Sequence, residues 1–240
     1  ILPQAWAWKK KRIPVLEHTI SKLCSILPFE PSYYSKNAPI EYVGHPLLDE
    51  IEYRKPNTVP THVVTFMPGS RPGEIKRLIP IFKAVAKKIN GVEKKIVIPN
   101  HFSQEQIKEL YGDLSGFAIT HEAHKTLSES DFAFICSGTA TLEATLIGTP
   151  FALAYIAKGL DYAIAKRLVK IKYVGLSNIL FEHAYQNSIH PEFIQEDVTV
   201  ETLYNAYLTF DREAFFNNAQ KLREVLKHGS AKRMSQIIKG

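Results

Sequence analysis

Cysteine is scarce in this chain: among 240 residues only Cys24 and Cys136 occur, far apart and without CxxC spacing. That argues against a disulfide framework or a zinc site and suits a reducing cytosol. No apolar run approaches the ~18 residues that a bilayer crossing requires, so any membrane contact would be peripheral. The pattern GxxxxGKS/T is absent, which removes a P-loop, and GxGxxG is absent, which removes the dinucleotide fingerprint. No GxSxG elbow supports a serine hydrolase. "HEAH" (121–124) places two histidines at i and i+3, not in the HExxH arrangement of zincins. With nine histidines scattered along the chain, a chance pair is the simpler account.

What is present is a composition able to bury a core, 45% hydrophobic and 22% charged. The net charge of +6 is clustered. Lys9, Lys10, Lys11 and Arg12 follow Trp6 and Trp8, and Lys158, Lys166, Arg167, Lys170 and Lys172 interleave with Leu160, Ile164, Leu168 and Ile171. From Lys221 onward six basic residues face one acid, Glu224. Such clusters suit phosphate, nucleic acid or an acidic membrane, and equally an ordinary solvated face. The chain opens at Ile1 inside a hydrophobic, Trp-rich stretch, which is neither a signal peptide nor a domain start and leads us to expect a fragment.

From about Thr61 strand-like and helix-like segments alternate. Strands are expected at 62–67, 94–99, 116–120, 132–136 and 151–155. Helices are expected at 74–89, from Ser103, at 123–128 and from about Thr139. Pro80 would kink the first of these helices rather than stop it. Continuous apolar strands with intervening helices predict an α/β fold, a Rossmann-like parallel sheet covered by helices on both faces. Ahead of it, 21–29 reads as a buried strand and 41–46 as a strand leading to a connector, with Pro56, Asn57 and Pro60 as a linker. Beyond Lys158 the chain reads as mostly helical.

Open α/β sheets bind ligands where strand C-termini meet helix N-termini. At 132–150, "FAFICSGTATLEATLIGTP", an apolar strand gives way to Ser137, Gly138, Thr139, Ala140 and Thr141 before a helix resumes. These small residues leave first-turn N–H groups unobstructed, and the helix dipole favours an anion there. Glu143, a turn further in, could accept hydrogen bonds from vicinal sugar hydroxyls. The structural alternative makes Ser137 or Thr139 a helix cap and Glu143 an exposed helix residue. A second loop of this kind, "FMPGSRPGEIKRL" (66–78), follows the first strand of the sheet, with Pro68 and Gly69 turning the chain and Ser70 and Arg71 at its exit. Glu74 stands at the helix start. Arg71 could stabilise a departing diphosphate in place of a metal ion, or it could simply cap a turn in solvent.

Taken in order, "WAWKKKR" (6–12), "ILPFE" (26–30), "YVGHPLLDE" (42–50), "PGSRPGEI" (68–75), "SGTATLEATLIGTP" (137–150), "AKRLVKIKYVGLSNIL" (165–180) and "PEFIQEDVT" (191–199) resemble the bacterial lipid-A-disaccharide synthase family. These are inverting glycosyltransferases of the GT-B fold. The resemblance implies transfer of 2,3-diacylglucosamine from its UDP donor to 2,3-diacylglucosamine 1-phosphate, without a metal or other cofactor. It implies that Ser70 and Arg71, together with Ser137 to Thr141, face the donor diphosphate, with Gly69 and Glu74 also among the substrate-binding residues. Glu143 would hold the ribose and Asn178 would lie near the donor site. Ser177 stands where the family often has proline, and Ile156 where a basic residue is expected. Family members carry over a hundred further residues before the "WAW" segment, including the presumed carboxylate base. The implied domains are therefore 1–57, a remnant of the acceptor-side domain and a linker; 58–210, the UDP-sugar domain; and 211–240, helices packing back on the N-terminal side or on a partner chain. The resemblance also implies a peripheral enzyme on the cytoplasmic face of the inner membrane, able to form a homodimer.

Two other readings compete. Another GT-B enzyme using UDP-N-acetylglucosamine would share the phosphate and ribose logic but is not expected to carry "WAWKKKR" or "PEFIQEDVT". A non-catalytic basic module for nucleic acid lacks a reading motif, and the aromatics do not interleave with basic residues along one element.

Overall fold

The computed structural model describes residues 2–51, 59–157 and 172–239. The linker residues Pro56 and Asn57, and the basic residues from Lys158 to Lys170, lie outside them. Among the described residues the elements run α1 (Ala5–Trp8), α2 (Ile13–Thr19), β1 (Leu23–Ser25), β2 (Ile40–Tyr42), α3 (Pro46–Glu50), β3 (Val63–Met67), α4 (Pro72–Lys88), β4 (Glu93–Val97), α5 (Gln104–Tyr111), β5 (Ala118–Thr120) and α6 (Ala123–Ser128). They continue with β6 (Phe132–Cys136), α7 (Ala140–Ile147), β7 (Phe151–Tyr155), α8 (Leu176–Tyr185), β8 (Glu192–Ile194), α9 (Val200–Leu208), α10 (Arg212–Val225) and α11 (Ser230–Lys239).

β3 to β8 form one parallel sheet in the order β5-β4-β3-β6-β7-β8. Alternation along each strand sorts the two faces, as period-two side chains must. Phe132 and Phe134 join Val64, Phe66 and the apolar side of α4, with α5 and α9, on one face. Ala133 and Ile135 join Leu142 and Leu146 of α7, with α6, α8 and α10, on the other. The expected helix-covered parallel sheet is present. α4 continues through Pro80, which sits on its exposed side.

Three differences from the sequence reading have local causes. The apolar run at 21–29 supplies only Leu23–Ser25 as strand, because the Ser25 hydroxyl, 2.7 Å from Leu27 O and 2.6 Å from Glu30 Oε2, folds the chain into a buried turn. The segment at 41–46 is strand only at Ile40–Tyr42, where it pairs in parallel with β1. β8 is not anticipated beyond Lys158. It is three residues of mixed polarity, drawn onto the sheet edge where Leu153 N donates to Pro191 O at 3.0 Å.

The C-terminal segment returns to the first fifty residues. Asp49 Oδ1 and Oδ2 accept from Gly229 N (2.7 Å) and Ser230 N (2.9 Å), and Arg233 Nη1 donates to Val43 O at 3.0 Å. His45 N donates to Lys227 O at 3.3 Å. Gly44, at φ +93°, makes that approach possible, since any Cβ there would overlap the Lys227 carbonyl. Gly44→Ala is therefore expected to cost about 2 kcal/mol or more, read as a lower urea midpoint at unchanged slope. A midpoint equal to wild type would mean that the two segments can part freely.

Candidate functional site

Strand order reverses between β3 and β6, which leave the sheet toward α4 and α7 respectively. That pair of loops is the topological switch point, where an open α/β sheet has its crevice. Four helices elsewhere are closed by a side chain at their start: α3 by His45, α5 by Ser103, α9 by Thr199 and α10 by Asp211. α8 is closed by Glu192, which accepts from Val174 N (2.7 Å) and Gly175 N (3.1 Å), and by Thr141 Oγ1, which accepts from Leu176 N (3.1 Å). α4 and α7 carry no side-chain cap, as α1, α2 and α6 also do not, but only α4 and α7 start at the switch point. α4 opens on Pro72, which has no N–H, and Glu74 N donates to Arg71 O, while in α7 Thr141 N donates to Gly138 O and Leu142 N to Thr139 O. The amides left to face the crevice are those ahead of these, at Gly73 and Ala140 and in the two loops, and both dipoles present positive ends there.

The first loop is shaped by Gly69 at φ +104°. A Cβ there would lie 2.8 Å from Glu74 Oε2 and 3.2 Å from Cys136 Sγ, so only glycine lets the loop lie flat against β6. Ser70 and Arg71 are exposed at its exit. Arg71 Nη1 meets Glu74 Oε1 at 3.0 Å; the arginine side chain is 79% accessible and the glutamate 9%. An ion pair so open on one side is worth little in water, ~1 kcal/mol at most, so an anion carrying more charge can take the guanidinium over. Beneath the loop, burial and then the Glu74 charge push the Cys136 thiol up to about 12, which leaves it neutral and a poor nucleophile. Tyr155, at the end of β7, is likewise pushed up, first by burial and then by Glu74.

In the second loop Gly138 lies in open space, Thr139 is exposed, and Ser137 and Ala140 are half-buried. Thr141 is turned inward: its hydroxyl donates to Gly138 O at 2.8 Å while accepting from Leu176 N. It fixes the loop rather than reaching out of it. Neither Ser137 nor Thr139 caps α7, and Glu143 is no freely exposed helix residue, its side chain being 17% accessible. Glu143 Oε2 instead faces His124 Nε2 of α6 at 3.3 Å. His121, the other histidine of "HEAH", turns its Nδ1 to Ile98 O at 2.7 Å. The two do not converge, and among the described residues no three His, Cys, Asp or Glu side chains form a metal-binding group.

Asn178 is fully buried and its amide is committed internally. Oδ1 accepts from Ile189 N (2.8 Å) and His190 N (3.3 Å); Nδ2 donates to His190 O (3.0 Å) and Glu192 Oε1 (2.8 Å). The structure thus gathers Gly69, Ser70, Arg71 and Glu74 with Ser137 to Ala140 at one crevice, while the Thr141 side chain is spent on fixing the loop and the Asn178 side chain on holding β8. Sequence reasoning passed over His124, Glu192 and Tyr155. His124 carried a signal only as part of a discounted histidine pair, and Glu192 and Tyr155 carried none, since their neighbours are remote in the chain.

Comparison with known proteins places the chain among named relatives. The profile of the family described as Lipid-A-disaccharide synthetase matches residues 1–237. The Lipid-A-disaccharide synthase of Campylobacter jejuni subsp. jejuni serotype O:2 is 48% identical over 247 residues, covering 99% of this chain and 66% of that protein. The protein of the same description from Helicobacter pylori strain J99 is 49% identical over 249 residues, covering 98% and 68%. The chain thus spans about two thirds of the length of these curated relatives. Among solved structures, MurG of Acinetobacter baumannii superposes with a TM-score of 0.55 at 15% identity, covering 94% of this chain and 62% of MurG. The spinosyn rhamnosyltransferase SpnG superposes with a TM-score of 0.54 at 18% identity, covering 95% and 60%. The shared fold is of the GT-B type.

Proposed function

Since the chain belongs to the lipid-A-disaccharide synthetase family, we propose that it forms the donor-binding part of an inverting glycosyltransferase. The donor would be UDP-2,3-diacylglucosamine and the acceptor 2,3-diacylglucosamine 1-phosphate, giving lipid A disaccharide 1-phosphate and UDP. The observation that carries this reading is the pair of uncapped helix starts, α4 and α7, side by side at the switch point with Arg71 between crevice and solvent. SpnG, of the same fold at a TM-score of 0.52, has been solved complexed with thymidine diphosphate, a nucleotide of matching chemistry.

In this reading the N–H groups at Gly69 to Arg71 and at Gly138 to Ala140 hold the diphosphate, and Glu143 accepts from the ribose hydroxyls. The acceptor 6-hydroxyl attacks the anomeric carbon from the face opposite the diphosphate. As that C–O bond forms, the bond to UDP breaks, and the hydroxyl proton passes to a general base. The charge growing on the departing UDP is met by two helix dipoles and by Arg71, released from Glu74. Fusion behind the N-terminal third of the Campylobacter jejuni relative should yield a transferase that forms the disaccharide from the acylated donor. Turnover of UDP-N-acetylglucosamine instead of the acylated donor would favour the competing GT-B reading.

Fixed dipoles and a guanidinium also make a divalent cation unnecessary. UDP should bind this chain equally well by calorimetry in EDTA and in Mg²⁺. A tenfold loss in EDTA would remove this mechanism.

Peripheral docking on anionic membranes fits the same reading. No described helix is long and apolar enough to cross a bilayer, and α11 exposes Lys232 and Lys239 with Ile238, the last 78% exposed. A few basic residues at ~1 kcal/mol each suffice near an acidic surface. Sedimentation with anionic vesicles should decline steeply with salt, and indifference to lipid charge would refute the idea.

A further inference from the structure

Glu143 stands in the first turn of α7 between the buried residues Leu142 and Ala144. A glutamate side chain has many rotamers, and one that must meet two sugar hydroxyls binds better if its direction is set beforehand. Its partner here is His124, from the first turn of the neighbouring helix α6. The imidazole is half accessible, and its Nε2 lies 3.3 Å from Glu143 Oε2. Other charges on α6 do not compete for that oxygen: Lys125 Nζ reaches Glu122 Oε2 at 3.4 Å. Contact through one edge of Oε2 leaves Oε1 and further lone pairs free, since a carboxylate accepts at about four positions. The two residues thus stand on adjacent helix starts at the rim of the crevice, one aiming the other.

We propose that His124 is a positioning residue that fixes the Glu143 carboxylate for the vicinal hydroxyls of a nucleotide's ribose. This rests on the reading that Glu143 grips the ribose, and the experiment separates the two. UDP and 2′,3′-dideoxy-UDP are titrated by calorimetry into the chain and its variants Glu143→Ala, His124→Ala, His124→Gln and the double alanine variant, each checked for an unchanged melting temperature. His124→Ala should weaken UDP by up to about fivefold, the scale of one partly exposed ion-pair contact, and leave the dideoxy analogue unaffected. His124→Gln keeps a neutral donor and should restore most of the loss. The double variant should bind UDP no worse than Glu143→Ala, because a residue acting through another adds nothing once that other is gone.

If Glu143→Ala weakens UDP while His124→Ala does not, the positioning role is wrong and the ribose reading stands. Equal losses for UDP and the dideoxy analogue in His124→Ala would make the histidine structural and overturn the proposal. Unchanged UDP binding in Glu143→Ala would overturn both.

Discussion

Replacing Arg71 by alanine is expected to slow glycosyl transfer by about 30- to 1000-fold, corresponding to ~2–4 kcal/mol of lost transition-state stabilisation. The loss should fall on kcat more than on KM. Arg71 is partnered by Glu74, so part of its attraction to a donor diphosphate would be spent on leaving that pair. The charge it meets grows only as UDP departs, and that growth is where its contribution lies. Arg71→Lys keeps the charge but not the fork geometry and should recover a fraction of the rate. Folding should be untouched, since the side chain is 79% accessible. The assay uses the chain fused to a relative's N-terminal third. A near-normal rate in Arg71→Ala would reduce Arg71 to the solvent-facing turn residue that the sequence also allowed.

Stability should fall sharply as pH drops below about 6.5, the ordinary histidine value. Burial pushes His190 down to about 3 and His45 down to about 4. His190 packs on Phe151 with Nε2 at 2.9 Å from Ser177 Oγ, and His45 uses Nδ1 to accept from Leu47 N at 3.3 Å. Both are held neutral in the fold. Between pH 6.5 and about 4 the unfolded chain therefore binds up to two more protons than the folded one, and stability declines by up to ~2.7 kcal/mol per pH unit. The stabilisation is complete above 6.5 and is lost progressively on acidification. Glu30 and Glu192 work against this trend toward the lower end, because burial pushes both carboxyls up and the folded chain takes those protons first. The steepest loss should thus lie in the upper part of the window. Urea titrations at several pH values measure it, and His45→Asn, which keeps a cap acceptor without a titrating ring, should remove about half the slope. A flat profile from pH 7 to 5 would show that these rings reach water.

Much of this was legible in the sequence for a physical reason. β3, β6 and β7 are largely apolar runs ended by turn residues, β4 is apolar only in its second half, and α4 repeats its apolar residues at helical spacing, so local chemistry and burial agree. The two loops were legible because Pro68, Gly69, Ser137 and Gly138 are residue types that chain reversals and close backbone approaches select. The buried polar cluster was not. Asn178, His190 and Glu192 look like surface residues in sequence, and their burial depends on satisfying one another across 14 positions. Nor was the return of residues 227–233 onto Val43, His45 and Asp49, since partners some 180 positions apart leave no local trace. The contact between His124 and Glu143 belongs to the same class. It arises from the packing of α6 beside α7.

The central claim is that two uncapped helix starts at the switch point hold the diphosphate of a uridine nucleotide. The direct measurement is a titration of the isotopically labelled chain with UDP in EDTA, followed by the shifts of its backbone amide resonances. The account predicts saturable shifts largest at Gly69, Ser70, Arg71, Gly138, Thr139 and Ala140, and small at the closed start of α8 around Gly175 and Leu176. Shifts confined to the basic surfaces of the C-terminal helices, or none at the two loops at saturating UDP, would contradict it.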